Sequence, residues 1–244
     1  MKKERLDVLV VERGLAESRA RAQALILAGQ VVVDDQRVDK PGTRVSVGAE
    51  LRLKGEVLPY VSRGGLKLEA ALERFELDVA GAICADIGAS TGGFTDCLLQ
   101  RGATRVHAID VGYGQLHEKL RTDARVVSRE RVNARHLTDA DLPEPVRVIV
   151  IDVSFISLTL VLPGVLPKLE RGGVLIALVK PQFEVGPAQI EKGGVVRDPV
   201  ARQAAIDRIS GFVVSQGLAL VGTMDCPVPG PAGNVEALLV ATRP

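Results

Sequence analysis

The sequence predicts an α/β protein in which a small N-terminal α+β unit precedes a seven-stranded, mostly parallel sheet. Three observations carry this. From Ile83 onward, short apolar strand segments alternate with stretches long enough for crossover helices, the order that builds a parallel sheet covered on both faces. The first strand runs into a glycine-rich turn, Ile83-Cys84-Ala85-Asp86-Ile87-Gly88-Ala89-Ser90-Thr91-Gly92-Gly93-Phe94, and a strand, a tight turn and a helix N-terminus form a nucleotide-sized cradle. The first 60 residues follow a different rhythm, two short helices and then a hairpin.

Composition sets the bounds. A chain of 244 residues holds one full α/β domain and a small appendage. Hydrophobic residues at 46% and charged residues at 25% are those of a soluble globular protein. Residues 1–61 hold 11 Lys and Arg against 9 Asp and Glu, and the rest 20 against 21, so bulk charge names no nucleic-acid partner and only clustered arginines can do so. Cys84, Cys97 and Cys226 lie far apart and the three histidines are scattered, so no metal site is expected. The start is charged with no apolar core behind it, and the most apolar runs, Val148–Val153 and Val174–Val179, are too short for a bilayer. A cytoplasmic location is expected.

In chain order, Leu6, Leu9 and Val10 make a helical stripe that ends at Arg13-Gly14. Ser18 reads as the N-cap of a second helix carrying Ala20, Ala24, Leu25 and Ala28, closed by Gly29. Val31–Val33, an Asp34-Asp35 turn and Arg37-Val38 predict a hairpin, followed by a turn at Lys40-Pro41-Gly42 and a strand over Ala49–Leu53. Residues 55–65 read as a linker with Tyr60 wedged at a domain junction, dividing the chain into 1–60 and 61–244. Leu66–Phe75 predicts a helix burying Leu68, Ala71, Leu72 and Phe75, with Lys67 off the stripe and exposed. Strands follow at Ile83–Ile87, Arg105–Ile109, Arg125–Val127, Val146–Ile151, Val174–Val179, Leu218–Val221 and Val235–Ala241, the last two as a hairpin. Helices are expected over Leu160–Leu169 and over Pro199–Gln216, the latter with Asp198 as N-cap and Gly217 beyond its end.

The turn Gly88-x-x-x-Gly92-Gly93 is neither the dinucleotide pattern nor a triphosphate loop. Asp110 ends the second strand about 20 residues on, where a carboxylate commonly takes ribose hydroxyls. Asp86 would repel a pyrophosphate and favour a cationic ligand. S-adenosylmethionine, with its sulfonium and amino group, fits that charge pattern. Taken separately, Asp86 is equally a strand-end cap and Asp110 a turn residue; beside one loop the ligand reading is preferred.

Asp152 ends the fourth strand and Lys180 the fifth, so both emerge side by side at the edge where ligands sit in this architecture. An ion pair closing the sheet is one reading. The other is chemical: methyl transfer to a ribose hydroxyl needs a proton taken from a weak acid, work suited to a desolvated lysine oriented by a carboxylate. Val153-Ser154 follows Asp152 in place of the Pro-Pro-aromatic sequence expected for an exocyclic amine, which favours an oxygen nucleophile.

Two resemblances sharpen this. Arg5-Leu6-Asp7-Val8-Leu9, Ser18–Ile26 and Gly29–Asp34 resemble the S-four-type RNA-binding domain. That resemblance implies a structured RNA partner for Arg5, Arg19 and Arg21, which charge alone reads as a solvated helix face. Asp86–Phe94 resembles the first motif of the FtsJ-like ribose methyltransferases. That implies a Rossmann-like sheet in which Asp86, Gly88, Ala89, Ser90, Thr91, Gly92, Gly93 and Phe94 hold the methionine end of S-adenosylmethionine, with Asp110 at the ribose and Asn133 near the adenine. It also implies a Lys-Asp-Lys-Glu set at Lys67, Asp152, Lys180 and Glu236; Lys67 and Glu236 rest on resemblance alone, Glu236 otherwise reading as a surface carboxylate.

The two domains joined through Ser62-Arg63-Gly64-Gly65-Leu66-Lys67-Leu68 resemble the TlyA family nearly end to end. This implies 2′-O-methylation of cytidine in ribosomal RNA of one or both subunits. The family's hemolysin label raises a rival, a membrane-perturbing protein, and an RNA-binding module without activity is a second. The sequence supplies no spanning segment for the first, and its intact glycines and four candidate residues oppose the second.

Overall fold

The computed structural model describes residues 2–34, 36–54, 58–230 and 233–244. They form two compact units, one comprising Met1–Leu58, Glu191–Val195 and Gly230–Gly233, the other Pro59–Ile190, Val196–Pro229 and Asn234–Pro244.

The first unit contains β1 (Lys3–Arg5), α1 (Leu6–Glu12), α2 (Arg19–Leu27), β2 (Val31–Val33), β3 (Gln36–Arg37), β4 (Arg44–Ser46) and β5 (Leu51–Leu53). The Ser18 hydroxyl accepts from the Arg21 amide and caps α2 as expected. β2 pairs antiparallel with β3 and β5, and β1 with β4. The hairpin turn expected at Asp34-Asp35 falls partly outside the described residues, at Asp35. Leu6, Leu9, Val10, Ala22, Leu25 and Ile26 close onto Val31, Val33 and Leu51 in one small core.

The second unit begins with α3 (Gly64–Arg74), so the stretch read as linker to residue 65 already turns into helix; Gly55–Val57 lie outside the described residues. Then come β6 (Ile83–Ile87), α4 (Gly93–Gln100), β7 (Arg105–Ile109), α5 (Glu118–Arg121), β8 (Val126–Arg129), β9 (Val146–Ile151), α6 (Leu158–Val165), β10 (Leu169–Val179), α7 (Pro199–Ser215), β11 (Ala219–Asp225) and β12 (Ala237–Thr242). The sheet order is β11-β12-β10-β9-β6-β7-β8. β10, β9, β6, β7 and β8 are parallel, and β12 runs antiparallel between β10 and β11. The mostly parallel seven-stranded sheet and its closing hairpin match the expectation. β10 is longer than the segment read for it because a register shift between Leu169 and Val174 carries the pairing back past Gly172-Gly173.

Strand alternation sorts the core into two faces. Cys84, Val148, Val150, Ile176, Leu178, Leu238 and Val240 pack with α3 and α4. Ala85, Ile87, Ile149, Ile151, Leu175, Ala177, Val179, Leu239 and Ala241 pack with α6 and α7. The chain passes from β6 outward through β7 and β8, then returns to place β9 on the other side of β6. The crevice between the carboxyl ends of β6 and β9 is the topological switch point, where open α/β sheets bind ligands. Tyr60, expected at a junction, packs in the first of these clusters and donates to Glu69 at 2.7 Å.

Candidate active site

The turn after β6 is built for close backbone approach. Gly88 has φ +85°, and a Cβ there would lie 2.3 Å from the carbonyl oxygen of Asp152. Gly92 caps α4 at φ +98°, with Leu120 filling the space a side chain would take. The Gly88 and Ala89 amides donate to the Ile109 carbonyl, tying the turn to the end of β7. The Asp110 carboxylate accepts from the Ser90 amide at 2.7 Å and from the Gly112 amide at 2.6 Å, so it organises the loop while facing the crevice. A cavity of about 510 Å³ opens here, of a size ligand sites commonly have. Gly88, Ser90, Asp110, Asn133, Asp152, Ser154 and Phe155 stand in its wall.

The remaining residues expected at the cofactor lie differently. Phe94 is a core side chain beneath the turn, and Thr91 receives the His117 amide on its carbonyl. Gly93 gives way to Ser62 and the Gly65 backbone, which fixes the start of α3 against α4. Asn133 caps the short 3-10 turn Ala134–His136 by accepting from the Arg135 amide, so it is both turn former and cavity wall. Asp86 is wholly buried and accepts from the Thr95 hydroxyl at 2.6 Å, while its other oxygen has no hydrogen-bond partner among the described residues. Burial pushes its carboxyl up to about 7, the Thr95 hydrogen bond opposing and the nearby Asp152 charge adding to the rise.

Two lysine–carboxylate pairs flank this crevice. Lys180 Nζ lies 2.6 Å from Asp152 Oδ1 and donates to Ser154 Oγ at 2.9 Å. Lys67 Nζ donates to Glu236 Oε2 at 2.6 Å. Residues of even number in β6, β9, β10 and β12 point to the α3–α4 face, and Asp86, Asp152, Lys180 and Glu236 continue that parity at the strand ends. Lys67 meets them from α3.

Lys67 corrects the sequence reading. It is 8% exposed, not a solvated helix lysine, and Glu236 at 1% is no surface carboxylate. The missed signal was spacing: Lys67 stands four residues before Ala71 and so shares the buried stripe. Phe155 escaped notice as well. It is 91% exposed, holds φ +63°, and rests on Phe183 with ring centroids 5.1 Å apart. A bulky residue at positive φ carries backbone strain, and leaving its ring in solvent forgoes the burial an aromatic side chain normally gains. Its place directly after Asp152-Val153-Ser154 was the available clue.

Residues 60–243 match the FtsJ-like methyltransferase family. The chain belongs to that family. This FtsJ-like chain also matches the S4 domain over residues 4–51. It is 48% identical to the 16S/23S rRNA (cytidine-2'-O)-methyltransferase TlyA of Mycobacterium tuberculosis, over 96% of this chain and 88% of that one. It is 41% identical to Hemolysin A of Brachyspira hyodysenteriae, over 96% and 98%. A solved Streptococcus thermophilus structure carrying a hemolysin name superposes with a TM-score of 0.80 at 47% identity, covering all of this chain and 89% of that one.

In the S4 unit of this FtsJ-like protein, the buried Asp7 carboxylate gathers the basic side chains. Arg5 donates to both its oxygens at 3.0 Å, while Arg19 at 2.9 Å and the Gln23 amide at 2.8 Å each donate to Oδ2. The Arg5 hydrogen bonds hold the carboxyl well below the usual range, against the opposing effect of burial. Arg5 and Arg19 therefore combine an anchored guanidinium with partial exposure, and Arg21 is exposed. No helix among the described residues is long and apolar enough to cross a membrane.

Proposed function

We propose that this chain is an S-adenosylmethionine-dependent methyltransferase that transfers a methyl group to the 2′-oxygen of cytidine in ribosomal RNA, working in the cytoplasm. The observation that carries the reading is the Lys180–Asp152 pair at the crevice between β6 and β9, with Lys67–Glu236 on the same sheet face. The donor fits the residues present: the unpartnered Asp86 oxygen favours a cationic ligand, and the cavity walled by Gly88, Ser90, Asp110 and Asn133 suits an adenosyl group. Asp86 and the turn Gly88–Gly93 would hold its methionine end, Phe94 packing beneath, with Asp110 at the ribose and Asn133 near the adenine. When bound, it supplies an electrophilic methyl on a sulfonium.

The protein's own residues do the rest. Asp152 would hold Lys180 at the crevice, and Lys180 Nζ would take or orient the proton leaving the 2′-hydroxyl. Proton removal makes that oxygen a competent nucleophile near neutral pH. Lys67 and Glu236 neutralise one another in a buried setting and fix α3 to β12 beside the reacting groups. Phe155 offers a ring at the cavity mouth for a nucleotide base drawn out of an RNA helix. Residues 1–60 grip folded RNA through Arg5, Arg19 and Arg21, and residues 61–244 catalyse.

The test is transfer of tritiated methyl from the donor to ribosomal subunits that lack the modification, wild type against Lys180→Ala. Labelled 2′-O-methylcytidine with wild type and none with the variant is expected. Wild type that binds the donor yet labels no ribosomal RNA refutes the proposal.

A further inference from the structure

Lys180 Nζ has two neighbours of different kinds. Ser154 Oγ accepts an aligned hydrogen bond from it at 2.9 Å. Asp152 Oδ1 lies nearer, at 2.6 Å, but meets it as a charge contact without hydrogen-bond alignment. A charge contact sets distance and leaves the ammonium free to spin. An aligned hydrogen bond sets direction. We infer that Ser154 is a positioning residue for Lys180: its hydroxyl fixes which way the amine presents its remaining N–H or lone pair to the crevice.

Lysine ends a flexible four-carbon stem with three equivalent donors. With Ser154 taking one of those directions and Asp152 holding the charge close, the remaining two are fixed relative to the crevice, and Ser154 itself stands in the cavity wall. A hydroxyl also does what a carboxylate cannot. It accepts from the ammonium and, after rotating, donates to the neutral amine, so the anchor survives the lysine's gain or loss of a proton. Ser154 is exposed and packs into no core, so its removal leaves the fold in place. This inference rests on the proposed role of Lys180 as base or orienter, and its test separates the two.

Ser154→Ala and Ser154→Thr are made in the full chain. With unmodified ribosomal subunits, Ser154→Ala is expected to lower kcat ten- to a hundredfold, with KM for subunits and donor within twofold of wild type. Ser154→Thr, which keeps the hydroxyl, returns kcat to within about threefold. Independently of any methyl transfer, acetylation of Lys180 by limiting acetic anhydride, followed by peptide mass spectrometry, is severalfold faster in Ser154→Ala and restored in Ser154→Thr. An unchanged kcat in Ser154→Ala, a threonine variant as poor as alanine, or unchanged Lys180 acetylation each overturns the inference. Wild type that labels no ribosomal RNA while the acetylation pattern holds refutes the RNA reading and leaves the Ser154 anchor standing.

Discussion

Lys67 and Glu236, 169 positions apart in the chain, meet at 2.6 Å with both side chains nearly excluded from water. Removing one partner strands a buried charge. Lys67→Met or Glu236→Gln is expected to cost about 3–5 kcal/mol in urea denaturation. The double variant Lys67→Met, Glu236→Leu recovers most of that stability while staying inactive. Additive losses in the double variant would contradict a direct pair.

Gly88→Ala places a methyl 2.3 Å from the Asp152 backbone oxygen at a φ of +85°. Neither the carbonyl nor the turn has room to yield without moving Asp152. Titration calorimetry is expected to show donor binding weakened at least tenfold, and turnover should fall further because Asp152 moves with its carbonyl. Gly81→Ala is the control: it has a comparable φ of +73° but open space around it, and it should lower stability by about 1–2 kcal/mol without touching donor affinity.

Asp86 gives stability a pH dependence of definite sign. Its carboxyl sits at about 7 in the folded chain against 3.8 for the ordinary group, so the folded state holds the proton more tightly than the unfolded state. Its stabilising contribution is whole below pH 4 and is lost as pH rises through 7. Asp86→Asn does not titrate. Between pH 5 and pH 8 its stability should therefore gain on wild type by roughly 3 kcal/mol in paired urea melts. An equal wild-type-to-variant gap at both pH values would show that Asp86 is ionised throughout.

Phe155 is exposed, so Phe155→Ala should leave the melting temperature nearly unchanged. Losing a stacking surface worth roughly 1–3 kcal/mol should raise KM for ribosomal subunits about tenfold, with donor affinity intact. Phe155→Trp should retain wild-type KM. A large drop in melting temperature for the alanine variant would mark the ring as structural, through its contact with Phe183.

The sheet was legible because strand signals are local. Ile83–Ile87, Arg105–Ile109 and Val146–Ile151 carry their apolar runs and breakers within a few residues, and the structure begins and ends those strands there. The Asp152–Lys180 meeting was legible too, since strands four and five of such a sheet end at the same edge. Lys67 and Glu236 were not, because neither residue's neighbours reveal a partner on a distant element. Resemblance named them, and only packing of α3 against β12 accounts for a charge on a buried stripe. Arg5 and Arg19 are intermediate cases. Their charge was plain, but their anchoring on Asp7 depends on α1 and α2 folding side by side.

The antiparallel placement of β12 has a consequence in time. An antiparallel strand brings its beginning, not its end, to the carboxyl edge of its neighbours, so Glu236 enters the site at the start of the strand that fills the gap between β10 and β11. During synthesis Lys67, Asp152 and Lys180 all emerge before it. A nascent chain carrying those three residues holds Lys67 without its counter-charge until β12 inserts, so the buried Lys67–Glu236 pair depends on a strand made after β10 and β11.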